Sequence, residues 1–269
     1  MEKVIRRGVL GSLAVAAALV LSAGPAMASG YSSSGHDGRD GRNGGRYTCT
    51  GGEIPSGHYA SITVTGTCSV PADATIKVDG FVKVAAGATL DAQSAPSTIT
   101  VKGDVTGYRG SFVGLGCQPA AYVGNSGHAC TVEPDGHSTI TVKGNVSAFD
   151  AAAVLLNGIT VKGNVTLFGG GSPVPWSIKN NTIAGNLTIS GQRTDWVGVL
   201  FNTIGKNATL TNIALSDPDP GAPGVYIVQN KIGRNLTCFG LTPGVSGGFV
   251  PGAVNIVGHH AYGQCASLV

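Results

Sequence analysis

The residues that acid–base, metal or nucleophilic chemistry would need are few in this chain, and they are dispersed. Arg193 lies near Asp195, which allows a carboxylate beside a cation. Polysaccharide hydrolysis or elimination asks for more: clustered carboxylates, acting as acid and base or holding calcium. Asp150 and Asp195 fall in different parts of the repeat described below, and Asp217-Pro218-Asp219 reads as a turn. His259-His260 is the one adjacent histidine pair, and a metal would need further ligands that no spacing supplies. Trp176, Trp196, Tyr226 and Phe249 recur ahead of successive bends, as a sugar-stacking strip or, more plainly, as core and loop packing. There is no Ser-His-Asp motif, and Gly169-Gly170-Gly171 lacks the lysine and helix of a phosphate loop. No catalytic residue, metal or cofactor is assigned. The residues carried forward as ligand-face candidates are Trp176, Arg193, Asp195, Trp196 and Tyr226.

What must position them is a repeat. Ile159-Thr160-Val161-Lys162-Gly163-Asn164-Val165-Thr166-Leu167 has close copies at Ile140 to Ser147 and Ile99 to Thr106. Looser copies follow at Thr182 to Ile189, Thr203 to Leu210 and Lys231 to Cys238. Apolar residues alternate on either side of a Gly-Asn pair, so each copy reads as two short strands joined by a bend. The bend falls at Asp104, Asn145, Asn164, Asn186, Asn207 and Asn235, then at His259, with degraded copies centred on Gly66 and Gly80. From Asn145 onward the intervals are 19 to 28 residues, the period of a solenoid. The long step from Asp104 to Asn145 is one coil with an insertion around Cys117 to Cys130, or two irregular coils. The leucine spacing and helical return of a leucine-rich repeat are missing. Instead, short apolar runs end in Asn, at Asn157, Asn181, Asn202, Asn230 and Asn255. Each reads as a third strand, and three strands per coil predict a parallel β-helix. Coils ~4.8 Å apart would stack Asn181, Asn202, Asn230 and Asn255 into an amide ladder.

Composition agrees. Glycine is abundant at 43 residues and charged residues make up only 12%, which favours a turn-rich β protein over a helical enzyme. Residues 1–28 read as a secretory signal peptide, with Lys3, Arg6 and Arg7 ahead of an apolar run and Ala26-Met27-Ala28 at its end. Arg6-Arg7 leaves twin-arginine export open beside ordinary secretion. Residues 29–46 read as a flexible Gly/Ser/Arg linker, and 47–269 as the ordered domain. Without the first 28 residues the chain carries 14 basic and 13 acidic residues, a net charge that makes no case for nucleic acid or anionic membranes. No later apolar run is long enough for a transmembrane segment.

Six cysteines, all in the exported part, point to disulfides. Cys49 and Cys68, like Cys238 and Cys265, are about one coil apart and would be stacked neighbours; Cys117 and Cys130 would close the insertion. The Asn-x-Ser/Thr matches at Asn145, Asn164, Asn186, Asn207 and Asn235 are explained by the repeat without glycosylation. Lys102, Lys143 and Lys162 share one repeat position, and Ala184 and Gly205 then end that stripe, which reads as a solvated row.

The Gly-Asn-Leu/Val-Thr units, together with Asn235-Leu236-Thr237-Cys238 and Gly263-Gln264-Cys265, resemble the right-handed parallel β-helix superfamily. The likeness is nearest to small secreted actinobacterial β-helix proteins of unassigned function. The expected protein is therefore a secreted, non-catalytic structural or interaction protein of the extracellular space or cell wall, with an extracellular glycan or cell-wall polymer as partner. The alternative is a carbohydrate-active enzyme or glycan-binding module that uses the loops between coils.

Overall fold

A computed structural model describes residues 44–216, 224–248 and 254–269. Residues 1–28, the linker up to residue 43, Asp217-Pro218-Asp219 and Phe249 lie outside the described residues. The first strand is Arg46–Cys49, one residue ahead of the expected start of the domain.

One coil shows the plan. Thr139–Val142, Val146–Phe149 and Ala153–Asn157 are three consecutive strands, and each adds to a different sheet. We name these sheets I, II and III; they hold nine, ten and nine strands, and every pair in them is parallel. This is the expected right-handed parallel β-helix. Strand Val105–Gly107 pairs directly with Val146–Phe149, so the long step is one coil plus an insertion. A further two-stranded sheet, Arg193–Thr194 with Ala214–Leu215, forms in the loops between sheets II and III.

The alternation read from sequence is what closes the core. Ala74–Val78 runs buried, exposed, buried, exposed, buried. In sheet I the inward column continues through Val142, Val161, Ile183, Ile204 and Ile232, all buried and each opposite the next. Such a column removes apolar surface from water at ~25 cal/mol per Å2, and no side chain in it has to match an unlike neighbour.

Two amide ladders hold the corners. At the III–I corner the buried Asn181, Asn202, Asn230 and Asn255 stack as expected. Asn202 Oδ1 accepts from the backbone N–H and the Nδ2 of Asn181, while Asn202 Nδ2 donates to the Ile178 carbonyl and to Asn230 Oδ1. The residues just before three rungs, Asn180, Phe201 and Gln229, take positive φ of 55°, 56° and 48°. Asn157 does not belong to this ladder. It pairs in register with Lys179, two residues away from the rung position, and faces outward. At the I–II corner a half-buried second ladder runs Asp104, Asn145, Asn164, Asn186, Asn207 and Asn235, each oxygen accepting from the next residue's backbone N–H. It ends on His260, whose backbone N–H bonds Asn235 Oδ1, and not on His259. Gly80 sits at this corner as read, but Gly66 precedes a sheet III strand, at the other end of the coil.

The three disulfides pair as expected: Cys49–Cys68, Cys117–Cys130 and Cys238–Cys265. The stacking argument behind two of them does not hold. Cys49 lies opposite Val64 and Cys238 opposite Gly263, so neither cysteine sits on its partner. Cys238 instead reaches from sheet II into the terminal 3-10 turn Gln264–Leu268, which crosses the open end of the core.

Two outcomes follow for stability. Asn202→Ala deletes four side-chain bonds from a buried site, and Asn186→Ala deletes three from a half-buried one. Thermal melting will show both variants destabilised, Asn202→Ala by about 1–3 kcal/mol and Asn186→Ala by less; equal melting of both with the parent would remove the ladders from the list of stabilising interactions. Cys238→Ser will cost about 2–4 kcal/mol. Hydrogen exchange should locate that loss in Ala261–Gly263 and the terminal turn, and uniform loosening would contradict it.

Candidate functional site

The five ligand-face candidates do not form one site. Trp176 stands in the inward column of sheet III between Val154 and Val197, is 1% exposed, and donates its indole N–H to the Ala152 carbonyl. It is a core residue, because its position in the strand has inward parity. Arg193 is exposed in the small loop sheet. Asp195 accepts a 2.6 Å hydrogen bond from the Ser216 hydroxyl, and no ion pair joins it to Arg193 among the described residues. Trp196 and Tyr226 do come together, with ring centroids 5.5 Å apart.

Their meeting place is the outer face of sheet III. Gly198 points outward there, and a Cβ on it would lie 2.1 Å from the Trp196 ring, so the glycine is what leaves room for the indole against the sheet. Lys179 Nζ stands 5.9 Å from that ring's centroid, within cation–π reach. The insertion closed by Cys117–Cys130 covers the neighbouring coils. Gln118 Nε2 donates to the Gly158 carbonyl, Asn125 Nδ2 to Asn180 Oδ1, and the Val132 N–H to the Ser94 carbonyl. His128, held on this roof by backbone bonds to Gln118, feels the charges of Lys179 and Asp91. Burial lowers the pKa of His128 below its ordinary value, the charge of Lys179 lowers it further, and Asp91 opposes both. Burial likewise lowers the pKa of Lys179. Gln93 Oε1, Asn125 Oδ1 and Asn157 Nδ2 are buried in this region without a hydrogen-bond partner. The patch is thus polar, roofed and flanked by an aromatic pair, which suits recognition of a hydroxylated ligand. Sequence reading did not bring His128 to this face, because the insertion carries no repeat from which to place it, and it read Lys179 and Asn157 only as parts of the third strand.

The other described carboxylates are dispersed. Asp79 takes His58 Nε2 and Lys102 Nζ at 2.7 Å each, and its pKa is lowered, first by the Lys102 hydrogen bond and then by that from His58. Asp91 caps its own turn through Ser94 and Gln93. Asp104 begins the corner ladder, and Asp150 lies 3.9 Å from Arg109. Among the described residues no three His, Cys, Asp or Glu side chains group as metal ligands, and His259 and His260 belong to adjacent corner columns.

Sheet II carries a different feature on its outer face. Phe149 lies opposite Phe168, and Tyr108 holds the same position one coil earlier. All three are exposed, at 45%, 57% and 38%. The column beside them reads Thr106, Ser147, Thr166, Thr188, Thr209 and Thr237. Extending the repeat two residues past Ser147 and Thr166 would have found the phenylalanines.

The roof makes stability depend on pH. Unfolded, His128 titrates near its ordinary 6.5; folded, it resists the proton. Below pH ~6.5 the unfolded chain therefore binds more protons than the folded one, and stability falls as pH falls through that window. Melting temperature should drop between about pH 7.5 and 5.5, and His128→Gln should flatten that drop. An unchanged slope in the variant would place the titration elsewhere. Compared with known proteins, the chain matches no family model, no curated protein and no solved structure.

Proposed function

We propose that this is a secreted, non-catalytic interaction protein of the extracellular space or cell wall, which lays an extended glycan along its outer faces. The observation that carries the reading is the exposed row Tyr108, Phe149 and Phe168 on a flat parallel sheet. Coils ~4.8 Å apart set three rings in a line beside hydroxyl side chains, an arrangement that offers faces to stack on sugars and hydrogen bonds for their rims. Asp79, Asp91, Asp104, Asp150 and Asp195, each engaged by a different partner, argue against an acid and base pair among them. The basic and apolar N-terminal segment and three disulfides favour an oxidising compartment. No helix among the described residues is long and apolar enough to cross a membrane.

A second reading has its own observation: Lys179, its pKa lowered by burial, near His128 of the roof and within cation–π reach of Trp196, which packs on Tyr226. That arrangement suits a carbohydrate-active enzyme. The two readings separate in one experiment, co-sedimentation of the secreted chain with insoluble cell-wall polysaccharide, followed by an assay for new chain ends. The proposal expects retention without new ends, and at least about tenfold weaker retention for Tyr108→Ala/Phe149→Ala/Phe168→Ala. New chain ends that vanish in Lys179→Met would replace it with the enzyme, and a triple variant retained as well as the parent would remove the aromatic row from binding.

A further inference from the structure

The corner between sheets I and II carries charge in a way the repeat conceals. Each coil turns there on two residues. In three coils these are Lys102-Gly103, Lys143-Gly144 and Lys162-Gly163; in the last three they are Gly205-Lys206, Gly233-Arg234 and Gly258-His259. The order inverts across Ala184-Gly185, and what persists is one glycine and one basic residue per coil. The glycine is required by the close approach of the coils. A Cβ on Gly163 would lie 2.6 Å from the Gly144 carbonyl oxygen, and one on Gly233 would lie 2.3 Å from that of Gly205. The other residue of each pair is under no such demand, and in six of these seven coils it is Lys, Arg or His.

All six basic side chains are exposed. Stacked in register, they form two short columns one residue apart, Lys102, Lys143 and Lys162 and then Lys206, Arg234 and His259, which follow one another along the axis at one cation per ~4.8 Å with a gap at Ala184-Gly185. Lys102 is paired with Asp79; Lys143, Lys162, Lys206 and Arg234 have no ion pair among the described residues. Lys77 and Lys231 stand in the next column of sheet I, joined in register by Thr100, Thr141, Thr160, Thr182 and Thr203. Sheet I and this corner thus hold seven of the twelve described lysines and arginines, but only two of the nine described carboxylates, Asp79 and Asp104. A nearly neutral chain has sorted its charge onto one side.

We propose that this ridge is a binding surface for a linear anionic polysaccharide lying parallel to the solenoid axis. Fixed cations, all but Lys102 without a carboxylate partner among the described residues, meet a chain that carries charge at regular intervals and attract it through many weak contacts in sequence. The threonine column supplies hydroxyls at the height of the sugar rims. Single-stranded nucleic acid fits less well, since binding it leans on aromatic side chains that stack the bases, and the outward columns of sheet I next to the ridge hold none. The inference extends the glycan-interaction reading but uses a surface separate from the aromatic row, so the two can fail independently.

The test is binding of the full secreted chain to fluorescent oligogalacturonate, its methyl ester and an oligothymidylate of equal charge, over a series of salt concentrations. The ridge variant is Lys162→Gln/Lys206→Gln/Arg234→Gln; the control is Arg46→Gln/Arg109→Gln/Arg193→Gln, which removes the same charge elsewhere. The expected result is salt-sensitive binding of oligogalacturonate, none of its ester, at least a tenfold loss in the ridge variant and no loss in the control. The aromatic triple variant should keep this binding, whatever it does with neutral polysaccharide. Absence of oligogalacturonate binding, equal loss in both charge variants, or tighter binding of oligothymidylate would each overturn the proposal.

Discussion

The structure depends on one constraint, the coil-to-coil register that backbone hydrogen bonds impose at the corners. Sheets alone would tolerate slippage by two residues, since that keeps every apolar side chain inward. The corners do not tolerate it. At the I–II corner, glycine lets one coil rest on the carbonyl below at a distance no side chain permits. At the III–I corner, a buried asparagine needs another asparagine's amide directly above and below it. A slip would bury these amides without partners, each at about 1–3 kcal/mol, in all four coils that carry the ladder at once. Register therefore holds cooperatively along the rod, although each coil touches only its neighbours.

That constraint also explains which parts of the molecule were legible in the sequence. Strand alternation and the Gly-Asn bends sufficed for the fold, because a solenoid repeats its local rules and a pattern misread in one coil is corrected by the next. The final coil shows the limit: the ladder ends on His260, but the histidine before it has the same residue type and nothing local separates the two. Asn157 shows another limit. It ends an apolar run as Asn181 does, yet stands two residues out of register, and the residue aligned with Asn181 is Ile159. Residue type alone could not reveal a difference made by spatial alignment.

Function was legible in smaller measure, and for a physical reason. The aromatics ahead of the bends left two readings for Trp176, a ligand face or core packing, and strand parity turns it inward to the core. Trp196 and Tyr226 meet on the outer face through a glycine whose purpose only the packed ring reveals. The roof belongs to no repeat, so its placement of His128 over Lys179 had no periodic signal. The corner cations had a periodic signal, but one split between two registers. The hydrogen bonds set Gly205 over Ala184 and Lys206 over Gly185, so one stripe ends at Ala184 and a second, one residue further along the coil, runs from Lys206 through Arg234 to His259.

The 3-10 turn Gln264–Leu268 bears on what can add to its end of the solenoid. Asn255 is the last rung of the buried ladder, and its amide donates to the Leu268 carbonyl as well as to Ile227 below. The chain's own end thus occupies the position a further coil would take, and Cys265 and Leu268 close the apolar bore. An uncapped ladder is a template on which another chain can continue the pattern, as fibrils do. Here that growth front is occupied by the same molecule that made it. At this end of the described coils a further strand could add only by displacing the turn, so the covered end resists sheet-to-sheet association between molecules.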